Sequence, residues 1–466
     1  MLKPASFAVS LLIFTLAGCG GSAGQGDQGG AQTPAPTASP APTVSLAANP
    51  VSVASGGSSM LTWSSTDATS CTASGSWSGT KAASGNQLTV ALTNTTQFNL
   101  SCTGAGGTKS TSVIVSVVPA PGALPAWANA LAIGQWFQIP NTAMSSVAPS
   151  PAPAGNTGPQ SKVIAWTSFV ADPRTSKVYS LANGGHSDYS GNEVDVLDLE
   201  RAQPAWSQLL PPTPNAQLTN CQNYYADGRP AARHTYYGVT FNELDDRIML
   251  LGGAIWCAAG GFFTPISSYN IGANAWSPST THGNITNAFA SAPAYTSDPS
   301  TGDIYGLADF VLGRWNRSSN SFTTLNPAGS VPVGYQAMSA FDSSRGRILF
   351  LGGGGSAHHL YTPSNNTMTP VSLSGANAVN VTGAQQNAMF YVAAIDRFLV
   401  RGGGAGGTVY QVNPSTFEVT TFLATDGAAI PSTLNGPFNK FLYLPRMGGA
   451  VYVPSHSGNA WFLRIH

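Results

Sequence analysis

Charge is what this chain has least of: only 8% of its 466 residues are charged, and 19 Lys and Arg balance 19 Asp and Glu. With no Lys/Arg run, it lacks the electrostatic footprint of a nucleic-acid partner and the polybasic patch that holds a protein on anionic lipid. Histidine is scarce too, with seven in the chain. No P-loop, dinucleotide-binding glycine pattern or serine-nucleophile elbow occurs. Long helix-period patterns are missing as well. Glycine (52) and proline (33) are plentiful instead, a profile of many short strands joined by turns. An all-β chain of this length is expected to hold two or three domains.

The N-terminus reads Met1-Leu2-Lys3, an apolar run from Ala5 to Ala17, then Gly18-Cys19. That is a charged n-region, a short h-region and a small-residue cleavage site, so residues 1–19 read as a signal and not a span. The tetrad Leu16-Ala17-Gly18-Cys19 resembles the lipobox of bacterial lipoproteins. The resemblance implies acylation of Cys19 and, since no Asp follows it, display at the outer membrane or cell surface. Membrane contact would then be through the lipid anchor alone. Residues 20–42, rich in Gly, Ser and then Thr-Pro-Ala, cannot bury a core and read as a disordered tether.

From 43 to 118 short alternating segments such as Met60-Leu61-Thr62-Trp63 and Gln97-Phe98-Asn99-Leu100 predict a small β-sandwich. The stretches LTWSSTDATSCTASGSWSGT and TTQFNLSCTG resemble an Ig-like module of bacterial surface proteins. A spacer role is expected for it, with Trp63 and Trp77 in its core or rim. A Pro/Ala/Gly-rich linker covers 119–133.

From 134 to 466 an internal repeat appears. Six apolar second strands stand out, around Val178, Ile248, Ile304, Ile348, Phe398 and Val451, and most are followed by Gly-Gly: 184–185, 252–253, 352–353 and 402–403. With Trp206 and Trp276 marking fourth strands, the pattern resembles the kelch repeat. The resemblance implies a β-propeller, radial sheets around a channel. The third unit lacks the doublet, and the sixth carries Gly448-Gly449 before its strand. The last unit ends at His466 without a fourth strand, and Gly134 to Pro140 is expected to supply it, since an unpaired blade edge is a liability. Six blades are expected, with seven the alternative if 209–228 hides a degenerate one.

Four cysteines remain, an even number in an exported chain, so disulfides are the default. The domain boundaries place Cys71 with Cys102 and Cys221 with Cys257. Neither pair has zinc-ligand spacing, and no metal or cofactor is expected.

In a propeller, the loop between strands two and three of one blade and the loop leading into the next blade emerge on one face. The first-blade loop carries His186, Tyr189 and Asn192; the segment into the second carries Arg229, Arg233, His234 and Tyr236. His358, His359 and His456 come from later loops on the same face. Clustered titratable groups in a concave mouth are the candidate site: His186, Tyr189, Arg233, His234 and Tyr236 for chemistry, Asn192, Arg229, His358 and His456 for binding. Each also has a structural reading, as a cap or a satisfied polar group.

The stretches GGHSDYSGNEVDVLDL and GRPAARHTYYG are similar to propeller-type polysaccharide lyases of the ulvan-lyase group. The resemblance implies β-elimination on an acidic polysaccharide, with Arg233 neutralising the uronate, His234 or Tyr236 as base, and His186 with Tyr189 as acid or positioning pair. The class-level alternative is a monomeric, non-catalytic kelch module that binds a glycan or a protein. Below both stands a copper radical oxidase of galactose-oxidase type. It would need two chelating histidines, whereas adjacent His358 and His359 point apart on an extended strand.

Overall fold

The computed structural model describes residues 39–50, 52–94, 96–118, 124–352, 357–382 and 386–466. The signal with Cys19, most of the tether, residues 119–123 of the linker and Gly353 lie outside them.

The chain is all-β. Its N-terminal unit pairs Thr43–Asn49, Met60–Thr66 and Ser84–Leu88 in one sheet. A second sheet runs in the order Ser52–Ala54, Gly107–Val118, Thr96–Gly104, Ser70–Gly75, Gly79–Lys81. Alternation dictates its core: Leu61, Trp63, Ala73, Phe98 and Leu100 turn inward while their neighbours stay wet. Trp63 and Trp77 meet edge to face at 5.3 Å and both are buried, so neither is a surface platform. Cys71 and Cys102 are bonded and sit opposite each other on neighbouring strands of one sheet.

Six four-stranded antiparallel sheets follow in a propeller-like arrangement. The first is Val170–Asp172, Lys177–Leu181, Val194–Asp198 and Trp206–Leu210, and the same up-and-down order recurs in the next four. Second strands such as Lys177–Leu181 and Arg347–Leu351 are buried on both faces except at their first residue, as expected of strands wedged between neighbouring sheets. The sixth sheet takes its outermost strand from far upstream. Trp136–Gln138 pairs with Trp461–Arg464 in the register Leu463↔Trp136 to Trp461↔Gln138. The first strand of each sheet packs against that of the next, and Phe441–Leu444 of the sixth packs back on Val170–Asp172 of the first. All six line one central cavity of about 250 Å³. Among the described residues, 209–228 adds no seventh sheet.

A short turn joins strands one and two of every sheet, four residues long in five of them and six, 298–303, in the third, and it carries a left-handed residue at or near its end: Ser176, Asp246, Gly302, Gly346, Asp396 and Gly448, with φ between 49° and 75°. Gly448 therefore belongs to this turn, and the sixth Gly-Gly is not a displaced copy of the doublet that ends second strands.

Candidate functional site

The doublet Gly184-Gly185 sets the site's geometry. A Cβ on Gly184 would lie 2.2 Å from the Tyr189 carbonyl oxygen, and one on Gly185 (φ 91°) 2.3 Å from the His234 nitrogen. Only glycine lets the first-sheet loop lie flush on the segment entering the second sheet. Asn183 then pairs with Arg233, and Arg233–His234 pairs with Ala254–Ile255 of the second-sheet loop. Phe262 pairs with Ala254 in turn. The His186 nitrogen donates to the Ile255 oxygen at 2.9 Å, and the Cys257 nitrogen donates to the His186 oxygen at 3.1 Å. The Cys221–Cys257 disulfide ties the loop before the second sheet to this small ribbon.

On that frame His186 and His234 meet edge to face, ring centroids 4.7 Å apart. His234 is buried, with Nε2 2.8 Å from Asp188 Oδ2 and Nδ1 without a hydrogen-bond partner among the described residues. A neutral His234 that donates its Nε2–H to Asp188 keeps its lone pair on Nδ1, the arrangement of an oriented base. The hydrogen bond from His234 holds the Asp188 carboxyl below its ordinary range despite partial burial, and Thr157 Oγ1 donates to Oδ1 at 3.0 Å. Burial first, and then the neighbouring His234, push the half-buried His186 below the ordinary imidazole value against the pull of Asp188. Trp166 (5.2 Å) and Tyr236 (6.0 Å) complete the wall around His234. His186 (φ 41°) and Tyr236 (φ 46°) both hold the left-handed backbone region, costly for side chains of this kind and often found where a site fixes its groups.

The remaining expected residues do not join this cluster. Arg233 precedes His234 on a two-residue strand, so its side chain takes the opposite face. There it is 1% exposed, with Cζ 3.4 Å from the Phe263 ring centre and one N–H on the Gly252 oxygen. Burial pushes its guanidinium down to about 9, against the pull of Tyr224 and Tyr225. Turned onto the Phe263 ring and the Gly252 oxygen, the guanidinium is not placed beside the histidine pair, so the neutralising role expected of it is withdrawn. Tyr189 is buried and donates to Glu193 Oε1 at 2.8 Å, inside a network where Lys162 Nζ lies 3.1 Å from Glu193 and 2.7 Å from Asp195. Asn192 is a buried clamp, donating to the Pro230 oxygen and accepting from the Thr213 nitrogen. Arg229 is held by Asp227 and the Pro211 oxygen.

His358 and His359 lie on the strand His358–Thr362, facing opposite ways; His358 Nδ1 accepts from the Gly352 nitrogen at 3.1 Å. His456 is driven down to about 4 by burial and by the Lys162 charge. Asp188 and Trp166 were not singled out from sequence. For Asp188 a signal existed, its place two residues after His186 in the same loop; for Trp166 none did. Among the described residues no three His, Cys, Asp or Glu side chains converge as metal ligands would. Cys221 and Cys257, bonded to each other, leave no thiol for a tyrosine cross-link.

No family description matches the sequence, and no curated protein does. Among solved structures the chain is similar to a structural-genomics protein of unknown function from Bacteroides thetaiotaomicron, at 13% identity and TM-score 0.42 over 90% of this chain and 97% of that one. It is also similar to an auxiliary nutrient binding protein from the same organism, at 10% identity and TM-score 0.40 over the same shares. Likenesses this distant carry no argument about activity, and the functional reading below rests on the chain's own geometry.

Proposed function

We propose that the chain is a lipid-anchored surface protein, a six-bladed kelch-like propeller held off the membrane by a tether and an Ig-like spacer, whose face acts on a glycan. The two disulfides fit an oxidising compartment, and among the described residues no helix is long and apolar enough to cross a membrane. The observation that carries the reading is the contact between His186 and an aspartate-backed His234. Two imidazoles in contact can serve as acid and base at one substrate position.

On a uronate-containing polysaccharide the pair would perform β-elimination. His186, neutral at pH 7 because its pKa is depressed, takes the proton from C5. The electron pair forms the C4–C5 double bond, and the C4–O bond breaks. The leaving oxygen takes the Nδ1 proton of a His234 that enters this step protonated on both nitrogens, its Nε2–H held by Asp188. Without Arg233, the substrate carboxylate is faced by imidazole N–H groups. The second reading, a glycan-binding module without turnover, is favoured by that missing guanidinium.

The test is ultraviolet absorbance of unsaturated product from polygalacturonate, alginate and ulvan. His234→Ala should lower turnover by about 100- to 10,000-fold while still showing a cooperative melt, so that the loss is not one of folding. If no polymer yields absorbing product yet one is bound, and His234→Ala weakens that binding, the binding module is the correct reading. If none is bound either, both readings fall.

A further inference from the structure

The face that carries the histidine pair also exposes large aromatic side chains, in a chain whose aromatic residues are mostly buried. Phe262 is 48% exposed, Tyr335 41% and Phe310 69%. They flank the site. On one side, Phe262 pairs with Ala254, which pairs with His234, so Phe262 stands two strands, about 10 Å, from the imidazole. On the other, Tyr236, which faces His234, shares a buried cluster with Ala292, whose oxygen accepts from the nitrogen of Gln336, the residue after Tyr335, at 2.9 Å.

Tyr335 and Phe310 come from different loops and are held together by one carboxylate. Asp309 Oδ1 accepts from the Gly334 nitrogen at 3.2 Å and the Tyr335 nitrogen at 2.9 Å. The Phe310 nitrogen donates to the Pro332 oxygen at 3.0 Å. Phe310 adopts a left-handed backbone, φ 60°, which a bulky residue holds only when its surroundings impose it. These contacts hold the segments of Phe310 and Tyr335 side by side with both side chains exposed, and adjoining exposed apolar groups, unlike single ones, mark interaction sites.

Resting on the glycan reading above, we propose that Phe262 on one side of the histidine pair and Tyr335 with Phe310 on the other form an aromatic track for consecutive sugar rings of one extended polysaccharide. The apolar C–H faces of a pyranose stack on aromatic rings, while its hydroxyls keep their water. A row of separate rings running through a titratable pair fits a polymer threaded across the face. A single monosaccharide would use only the centre. The reacting bond would lie inside the chain, so cleavage would be internal.

The test is affinity electrophoresis of the whole protein through gels containing polygalacturonate, alginate or ulvan. Phe262→Ala, Tyr335→Ala and Phe310→Ala are compared with wild type and with Leu423→Ser, an exposed change outside the track. Each aromatic loss should weaken retardation by about three- to tenfold. On the retarding polymer, calorimetry should show the loss to be larger for a hexasaccharide than for a disaccharide. Melting curves confirm that the variants are folded. Retardation of wild type with no change in the three variants, or equal losses for disaccharide and hexasaccharide, overturns the track and leaves the glycan reading standing. No retardation of wild type by any of the three polymers overturns both.

Discussion

Replacing Lys162 with Met is the sharpest test of how the site's scaffold is held. Lys162 is 1% exposed, and its ammonium lies between the buried carboxylates of Glu193 and Asp195. Burial alone would lower its pKa, but Asp195 and then Glu193 hold it above the ordinary value. Asp195 is itself pushed above the ordinary carboxylate range by burial, against the pull of Lys162. Removing the cation leaves two carboxylates buried without a charge partner. Breaking a buried pair in this way costs about 3–5 kcal/mol, or roughly 5–10 °C of melting temperature for a domain larger than 250 residues.

The deficit should depend on pH. A carboxyl whose folded pKa lies above its unfolded value binds more protons when folded, so it costs stability as pH rises from about 4 to 7 and beyond. Without Lys162 the Asp195 carboxyl shifts further up, and the variant should fall steadily behind wild type across that range while nearly matching it at pH 4. Thermal melts of both proteins from pH 4 to 8 measure this. The triple variant Lys162→Met, Glu193→Gln, Asp195→Asn should recover much of the loss at pH 7. A deficit that is flat with pH, or a triple variant no better than the single one, would refute the reasoning.

Three further outcomes follow from packing. Gly185→Ala puts a Cβ 2.3 Å from the His234 nitrogen. The ribbon must open, so the variant should lose at least about 1 kcal/mol and all function at the histidine pair; an unchanged melt would show that the two loops do not lie flush. Deleting residues 124–140 strips the outer strand from Trp461–Arg464, and a calorimetric scan should show a sharply lower, less cooperative transition; identical scans would reject that pairing. His456 is depressed to about 4, so below about pH 6.5 the unfolded chain takes up a proton that the folded one refuses, and stability falls as pH drops towards 4. His456→Asn should flatten that acid slope in melts between pH 4 and 7, and an identical slope would contradict the assignment.

The all-β series of four-stranded sheets was legible because burial on both faces of a strand writes itself as an apolar run, as in Ile348-Leu349-Phe350-Leu351. The missing fourth strand at the C-terminus and its counterpart at Trp136-Phe137-Gln138 were readable by the same logic. Gly448-Gly449 was a departure from the repeat in sequence, and its left-handed turn explains it.

Within the site, the doublet and two histidines could be read, but the direction of side chains could not. Arg233 and His234 are adjacent, and which one faces the mouth depends on pairing with Ala254–Ile255, a partner with no mark in sequence. Tyr189 was drawn inward by Lys162, which arrives through Glu193 from a segment upstream of the first sheet. Asp188 was in view, two residues beyond His186, yet only the fold aims its carboxylate at His234.

The central claim is that His186 and His234 form one site. A double-mutant cycle on initial rates with the best polysaccharide, or on glycan affinity if there is no turnover, tests it most directly, using His186→Ala, His234→Ala and the two together. Groups that act as a unit are strongly non-additive, so the double variant should be no worse than the poorer single variant. Losses that multiply, or two single variants equal to wild type, would contradict it.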